Sequence, residues 1–423
     1  MVTNHRAVLF AHINMIEQLF FELIRVAIGT QDTLSRPPSK GEWAELYAIA
    51  KKQSLVGICF AGLQKLYNSV NQAPRTQNPQ PNSTQNQEPI TQNLDEVQYL
   101  TWMGMAAKIQ QRNEVVNRQC VDLQNRLSTD GLCSSILKGQ GVGALYNVNL
   151  NAKANLAMLR QSGDIDVYVA GGMEKVLGYC TEKFGEVEWD YINAHAPFYD
   201  ETEVELHWRA QAMTNLCANK RLQRWLEKSE TQEMMLGGKA MLANGQVLVV
   251  PTAEFNAFYI LLHCYHHMFE SGLGLRQLMD WYFVLKSRNN ASTGSAQATN
   301  PNVNLVALFE QFGMKKFAEG VLWLLWHVFE CENPDSFLVT PNSSFLTPNS
   351  KEGKFLLYEV MQNGNFGHHD ERVKKVGSGK MSELWRNVQH NWHLASHYPS
   401  EFLWQPVWLA YHFSWKRLIK NKI

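Results

Sequence analysis

Two acidic segments and a glycine turn are the parts of this chain whose residue types could do chemistry. Leu137-Lys138-Gly139-Gln140-Gly141 is followed about two dozen residues later by Ser162-Gly163-Asp164-Ile165-Asp166-Val167-Tyr168-Val169. Successive strand side chains alternate faces, so Asp164 and Asp166 present their carboxylates on one side. Two such carboxylates suit a hard divalent cation, Mg²⁺ or in its place Mn²⁺, which takes oxygen ligands and often arrives with nucleotide phosphates. Asp is depleted in strands, so this Asp-x-Asp runs against local propensity. The plain alternative is a strand edge with two solvated carboxylates. The combination points to metal-dependent chemistry on a nucleoside triphosphate.

A third carboxylate stands in Glu203-Val204-Glu205-Leu206-His207-Trp208. Glu203, Glu205 and His207 share one strand face. If this strand lies beside the first, Glu205 completes a site for two cations, with Glu203 as its substitute. The alternative is the exposed polar face of an antiparallel sheet. In the glycine turn, Gly lets the backbone come close to phosphate, and the following helix start offers unpaired amides. Lys138 can pair with a phosphate or with the carboxylates. Short Gly clusters are often only turns, and the spacing is not that of a P-loop.

Other clusters carry weaker signals. His263 and His267 are four residues apart on a helical segment with His266 between them. That spacing can bind metal, but the apolar surroundings favour packed or interfacial histidines. Arg276 and Asp280 read either as a helical ion pair or as an Arg reaching a nucleotide. Arg160 precedes the acidic motif and either faces phosphates or is solvated. His369-Asp370 is an adjacent pair of the kind metal phosphohydrolases use, set in a Gly/Asn loop.

The elements that must position these groups follow from periodicity. Apolar residues recur at helical spacing over 8–27, 42–66 and 102–127. Residues 68–95 are Asn/Gln/Pro/Ser/Thr-rich and read as a disordered loop. Strands are expected at 133–138, 164–169, 186–193 and 203–208, with a turn and helix start at 139–146 and a helix at 173–183. Asn244-Gly245 marks a hairpin between 239–242 and 247–250. Helices follow over 251–269, 275–286, 305–330, 351–362, 379–396 and 405–420, with loops at 288–304 and 335–350. The fold class is α+β, a small mixed sheet flanked by helical regions. The expected division is 1–128 helical, 129–250 the α/β core, and 251–423 helical.

The chain has 423 residues, with Lys+Arg and Asp+Glu both 39, so no global basic field argues for a nucleic-acid partner. The seven cysteines have no CxxC spacing and read as reduced thiols, which places the chain in the cytoplasm. No secretory signal is expected at the N-terminus, and nothing reaches the roughly 18 continuous apolar residues of a membrane span. The aromatic, basic segment 404–423 is expected to dock as a terminal helix rather than on a membrane surface.

These motifs resemble the uncharacterised bacterial nucleotidyltransferases of the DNA polymerase β-like superfamily, loosely over residues 5–420. The resemblance is carried by Leu137-Lys138-Gly139, Ser162-Gly163-Asp164-Ile165-Asp166 and Val204-Glu205-Leu206-His207-Trp208. Leu261-Leu262-His263, Gly274 to Asp280 and, more weakly, Gly364-Asn365-Phe366-Gly367 add to it. It implies that Asp164, Asp166 and Glu205 are the catalytic metal carboxylates. It also implies that Lys138, Gly139, Gln140, Gly141, Ser162 and Gly163, joined by Arg276, hold the nucleotide. Gln140 stands where the superfamily usually has Ser or Gly, and 147–159 looks like an insertion. The implied activity moves a nucleoside monophosphate from an NTP to a hydroxyl acceptor of unknown class, releasing pyrophosphate. The rival readings are an inactive nucleotide- or partner-binding protein on the same fold, and a His/Asp phosphohydrolase.

Overall fold

The computed structural model describes residues 2–72, 89–147, 155–290, 304–330, 346–365 and 392–420. A four-stranded sheet in the order β1-β2-β4-β3 sits among helices, which makes the fold α+β with a small mixed sheet. The strands are β1 (Ser134–Ile136), β2 (Ile165–Val169), β3 (Asn193–His195) and β4 (Val204–His207). The β1–β2 and β3–β4 pairs are antiparallel, and the central β2–β4 pair is parallel. A separate hairpin joins β5 (Gly238–Met241) to β6 (Val247–Val250). Its turn is the Asn-Gly expected from sequence, with Gly245 at φ +81°, where a Cβ would strain.

The period-two alternation of β2 and β4 divides their residues between two environments. Ile165, Val167, Val169, Val204 and Leu206 enter one apolar cluster with Val116, Cys120, Leu123 and Leu127. Those four residues lie on α4 (Glu96–Thr129), the fourth helix after α1 (Val2–Ile28), α2 (Lys40–Lys52) and α3 (Val56–Gln72). A capping box of Asp95 and Gln98 starts α4. Asp166, Glu205 and His207 are left on the opposite face of the sheet.

The remaining helices are α5 (Gln140–Gly143), α6 (Leu156–Leu159), α7 (Gly172–Phe184), α8 (Leu216–Leu226), α9 (Ser229–Leu236), α10 (Ala253–Glu270) and α11 (Leu275–Asn290). They are followed by α12 (Leu305–Gln311), α13 (Lys315–Phe329), α14 (Ser350–Asn363) and α15 (Pro399–Lys420). Thr252 caps α10, whose apolar run is buried almost throughout. Residues of α1, α3, α10, α11 and α13 share one large core, so the helical segments at the two ends of the sequence pack together. The Arg25 side chain ties them polarly, donating to the carbonyls of His327 and Val328.

Several expected boundaries move. Residues 68–72 continue α3, and 89–95 form an ordered turn in which Asn93 Nδ2 donates to the Pro38 carbonyl; residues 73–88 lie outside the described residues. The segment expected as one strand over 186–193 instead folds back on itself: Glu188 to Asp190 bond to 193–195 through a Trp189–Ala194 bridge, and Asn193 begins β3. The 305–330 helix breaks at Gly313, φ +72°. Helices α8 and α9 were not anticipated. His369-Asp370 and residues 379–391 lie outside the described residues.

The terminal helix α15 docks as expected. Trp408 and Trp415 pack edge-on to Tyr191 at 5.3 and 4.9 Å between ring centroids, and His412 pairs with Asp190. Among the described residues, no helix is long and apolar enough to cross a membrane.

Candidate active site

Register builds the acidic site. In the parallel β2–β4 pair Asp166 stands opposite Glu205, and Tyr168 opposite His207. His207 Nε2 lies 3.0 Å from Asp166 Oδ1 and 3.0 Å from Glu205 Oε2. Lys138, just past β1, places Nζ 2.8 Å from the same Asp166 oxygen. The turn is tied to β2 because Leu137 N–H donates to the Asp166 carbonyl at 2.9 Å. Gly139 follows with φ +53° and ψ −112°, a backbone that a side chain would strain.

Electrostatics follow from these contacts. Burial alone would raise the Asp166 carboxyl, but Lys138 and His207 outweigh it and hold the group well below the usual carboxylate range. Burial opposes the His207 imidazolium, yet hydrogen bonds to Asp166 and Glu205 push its pKa up to about 9. The charge of the Asp166 carboxylate raises Asp164 to about 6.

A cavity of about 300 Å³ opens on this face. Asp164, Asp166 and Glu205 line it with Lys138, Gly139 and Gly163. Its opposite wall is α10, through Tyr259, His263, His266 and His267, and α11 contributes Arg276, Gln277 and Asp280. Arg160 is locked to Asp280 by two 2.7 Å hydrogen bonds, and Tyr146 donates to the same carboxylate. Arg276 Nη1 donates to the Gln161 carbonyl at 2.8 Å.

The donor chemistry suits a hard divalent cation. One ligand atom each of Asp166, Glu205 and His207 lies within 4.8 Å of the others, and His195, Glu203 and Glu205 form a second such group. Glu205 belongs to both. Asp164 lines the same cavity at its exposed rim but is outside these groups. Glu203 is 61% exposed and bound to His195 Nδ1, so it stands at the outer edge rather than in place of Glu205.

Some expected nucleotide contacts point elsewhere. Gln140 is buried against α4, where its amide donates to the side-chain oxygens of Asn113 and Asn117. Gly141 packs where a Cβ would come within 2.9 Å of the Ile136 carbonyl. Neither residue lines the cavity, nor does Ser162. With only four residues, α5 is too short to build a strong terminal dipole.

The α10 histidines form a hydrogen-bonded wall of the cavity. Gln211 Oε1 accepts from Ala212 N–H, which turns its Nε2 toward His263 Nδ1 at 3.3 Å. His263 therefore carries its proton on Nε2, facing His267 Nε2 at 2.9 Å, and His267 Nδ1–H faces Ser271 Oγ at 2.9 Å. Burial first, then the charge of neighbouring His266 and Lys138, pushes His267 down to about 3, so it is uncharged at neutral pH. Neither His263 nor His267 joins a metal-ligating group among the described residues.

His207 shares the Glu205 face in the sequence, and only the structure shows its contacts to both carboxylates. Its period-two position two residues after Glu205 was the available signal. Tyr259 and Gln277 carried none, because a tyrosine or glutamine in an apolar helix reads as core.

No curated protein and no solved structure matches the chain. A family model described as uncharacterised nucleotidyltransferase matches residues 39–330, a span containing the whole sheet, α10 and α11. The chain belongs to this uncharacterised nucleotidyltransferase family.

Proposed function

We propose that the chain is a metal-dependent nucleotidyltransferase that moves a nucleoside monophosphate from an NTP to a hydroxyl acceptor and releases pyrophosphate. The observation that carries this reading is the opposition of Asp166 and Glu205 on adjacent parallel strands, facing one cavity with Asp164 at its rim. Asp164, Asp166 and Glu205 would hold Mg²⁺ or Mn²⁺, which in such sites offsets phosphate charge and lowers the pKa of an attacking hydroxyl. Lys138 adds a fixed positive charge beside Asp166. Gly139 and Gly163 leave room for phosphate oxygens to approach the backbone. The α10 wall closes the cavity opposite the carboxylates and limits the water that can compete with the acceptor. The family match supports nucleotidyl transfer in general. The acceptor is a small molecule, a sugar phosphate or a protein hydroxyl, and the chain works in the cytoplasm.

The test is label transfer. Protein, α-labelled NTP, divalent cation and cell extract are combined, and the labelled product is identified. Asp166→Asn is expected to abolish transfer with the fold intact. Full activity in that variant would overturn the assignment.

A second reading has one specific observation behind it. Asp166 Oδ1 is already engaged by both Lys138 and His207, so the acidic centre is partly self-neutralised. On that reading the chain binds nucleotide without turnover. Saturable metal-dependent NTP binding with no labelled product from any extract would favour it.

A further inference from the structure

Three residues that line the cavity each carry a buried polar atom with no hydrogen-bond partner among the described residues: Arg160 Nη1, Tyr259 Oη and Gln277 Nε2. The three residues are 4%, 1% and 4% exposed, and all three line the same cavity. Buried polar groups are almost always paired, so three orphans on residues lining one cavity mark a missing partner. All three are donors. Each is also held in place through a different atom or element. Arg160 is fixed by Asp280 through its other two nitrogens, and Gln277 accepts from Gly274 N–H at 2.8 Å through its Oε1. Tyr259 is set in the buried stretch of α10. A rigid set of donors that includes a guanidinium calls for a ligand rich in anionic oxygens. Lys138 and Gly139 line the same cavity.

We propose that Arg160, Gln277 and Tyr259 form the subsite for the polyphosphate tail of the nucleotide, so that α10, α11 and the segment before β2 read the phosphates while β2 and β4 supply the carboxylates. This rests on the reading of the cavity as a nucleotidyl-transfer site. It assigns substrate-binding roles to Tyr259 and Gln277 of the helical half, which the acidic motif alone does not point to.

Inorganic tripolyphosphate is the probe, titrated calorimetrically into the full chain with Mg²⁺ present, with adenosine as the ligand that lacks phosphates. Tyr259→Phe removes one orphan hydroxyl and nothing else, so it should fold. It is expected to weaken tripolyphosphate binding by about fivefold, the worth of one hydrogen bond, and to leave adenosine binding unchanged. Arg160→Lys is expected to weaken it by at least about tenfold, with folding checked by circular dichroism. Equal tripolyphosphate affinity in wild type and Tyr259→Phe would mean that only water satisfies these donors and would overturn the inference. Absence of saturable tripolyphosphate binding would do the same. Label transfer that persists unchanged in both variants would sink this subsite and leave the transferase reading standing. Loss of tripolyphosphate binding in the variants, with no transfer by any form of the protein, would sink the transferase reading alone.

Discussion

Asp166 and Glu205 are register partners on β2 and β4, and one imidazole nitrogen of His207 lies 3.0 Å from a carboxylate oxygen of each. A slip of one residue in that pairing would turn one of the two carboxylates into the apolar cluster beneath the sheet. The apolar alternation of both strands therefore fixes the acidic pair. Glu205 and Glu203 should accordingly differ. Glu205→Gln is expected to lower label transfer by at least ~100-fold, as for loss of a group acting on developing charge. Glu203→Gln, altering an exposed carboxylate paired with His195, should stay within about threefold of wild type. The same transfer assay on both variants checks this.

Gln140 tests whether the glycine turn acts through its side chains. Its amide satisfies Asn113 and Asn117 in the interior. Gln140→Leu leaves those groups unpaired and is expected to cost about 1–3 kcal/mol of stability. Chemical denaturation measures that loss, while the NTP affinity of the folded protein should be unchanged.

Asp280 holds Arg160 and accepts from Tyr146. Asp280→Ala leaves a buried guanidinium uncompensated and is expected to destabilise the chain by about 3–5 kcal/mol. A thermal shift several degrees below wild type is the readout.

Glu42 offers a pH test far from the cavity. Arg36 binds its carboxylate, and that hydrogen bond, opposed by burial and aided by Ser39, lowers its pKa to about 2. The folded pKa lies below the ordinary 4.5, so the contribution is full above about pH 4.5 and is lost as pH falls toward 2. Arg36 is 40% exposed, so solvent screening reduces the contribution to about 1–2 kcal/mol. Glu42→Gln should be less stable than wild type by that amount at pH 7, with the difference shrinking between pH 4.5 and 2. Denaturation midpoints across that range decide it.

The sequence made the strands of the site legible because period-two alternation and burial act together there. Ile165, Val167, Val204 and Leu206 fill the core while Asp166 and Glu205 face away from it. The Asn-Gly hairpin was readable for the same local reasons. The glycine turn misled because its residues divide between environments. Lys138 and Gly139 face the cavity, while Gln140 and Gly141 turn into the protein, and only tertiary packing decides that. The strand expected over 186–193 shortened because the chain turns back on itself there, with Asp190 N–H donating to the Asn193 carbonyl and His195 N–H to the Glu188 carbonyl. The cavity wall of Tyr259 and Gln277 was illegible because it exists only once α10 and α11 are laid over the sheet.

The claim on which the rest depends is that Asp166 and Glu205 together grip a divalent cation, and Mn²⁺ binding followed by paramagnetic resonance tests it most directly. The account predicts that free Mn²⁺ falls on titration with wild-type protein and that this uptake is lost in folded Asp166→Asn and Glu205→Gln variants. Undiminished Mn²⁺ uptake by both variants would contradict it.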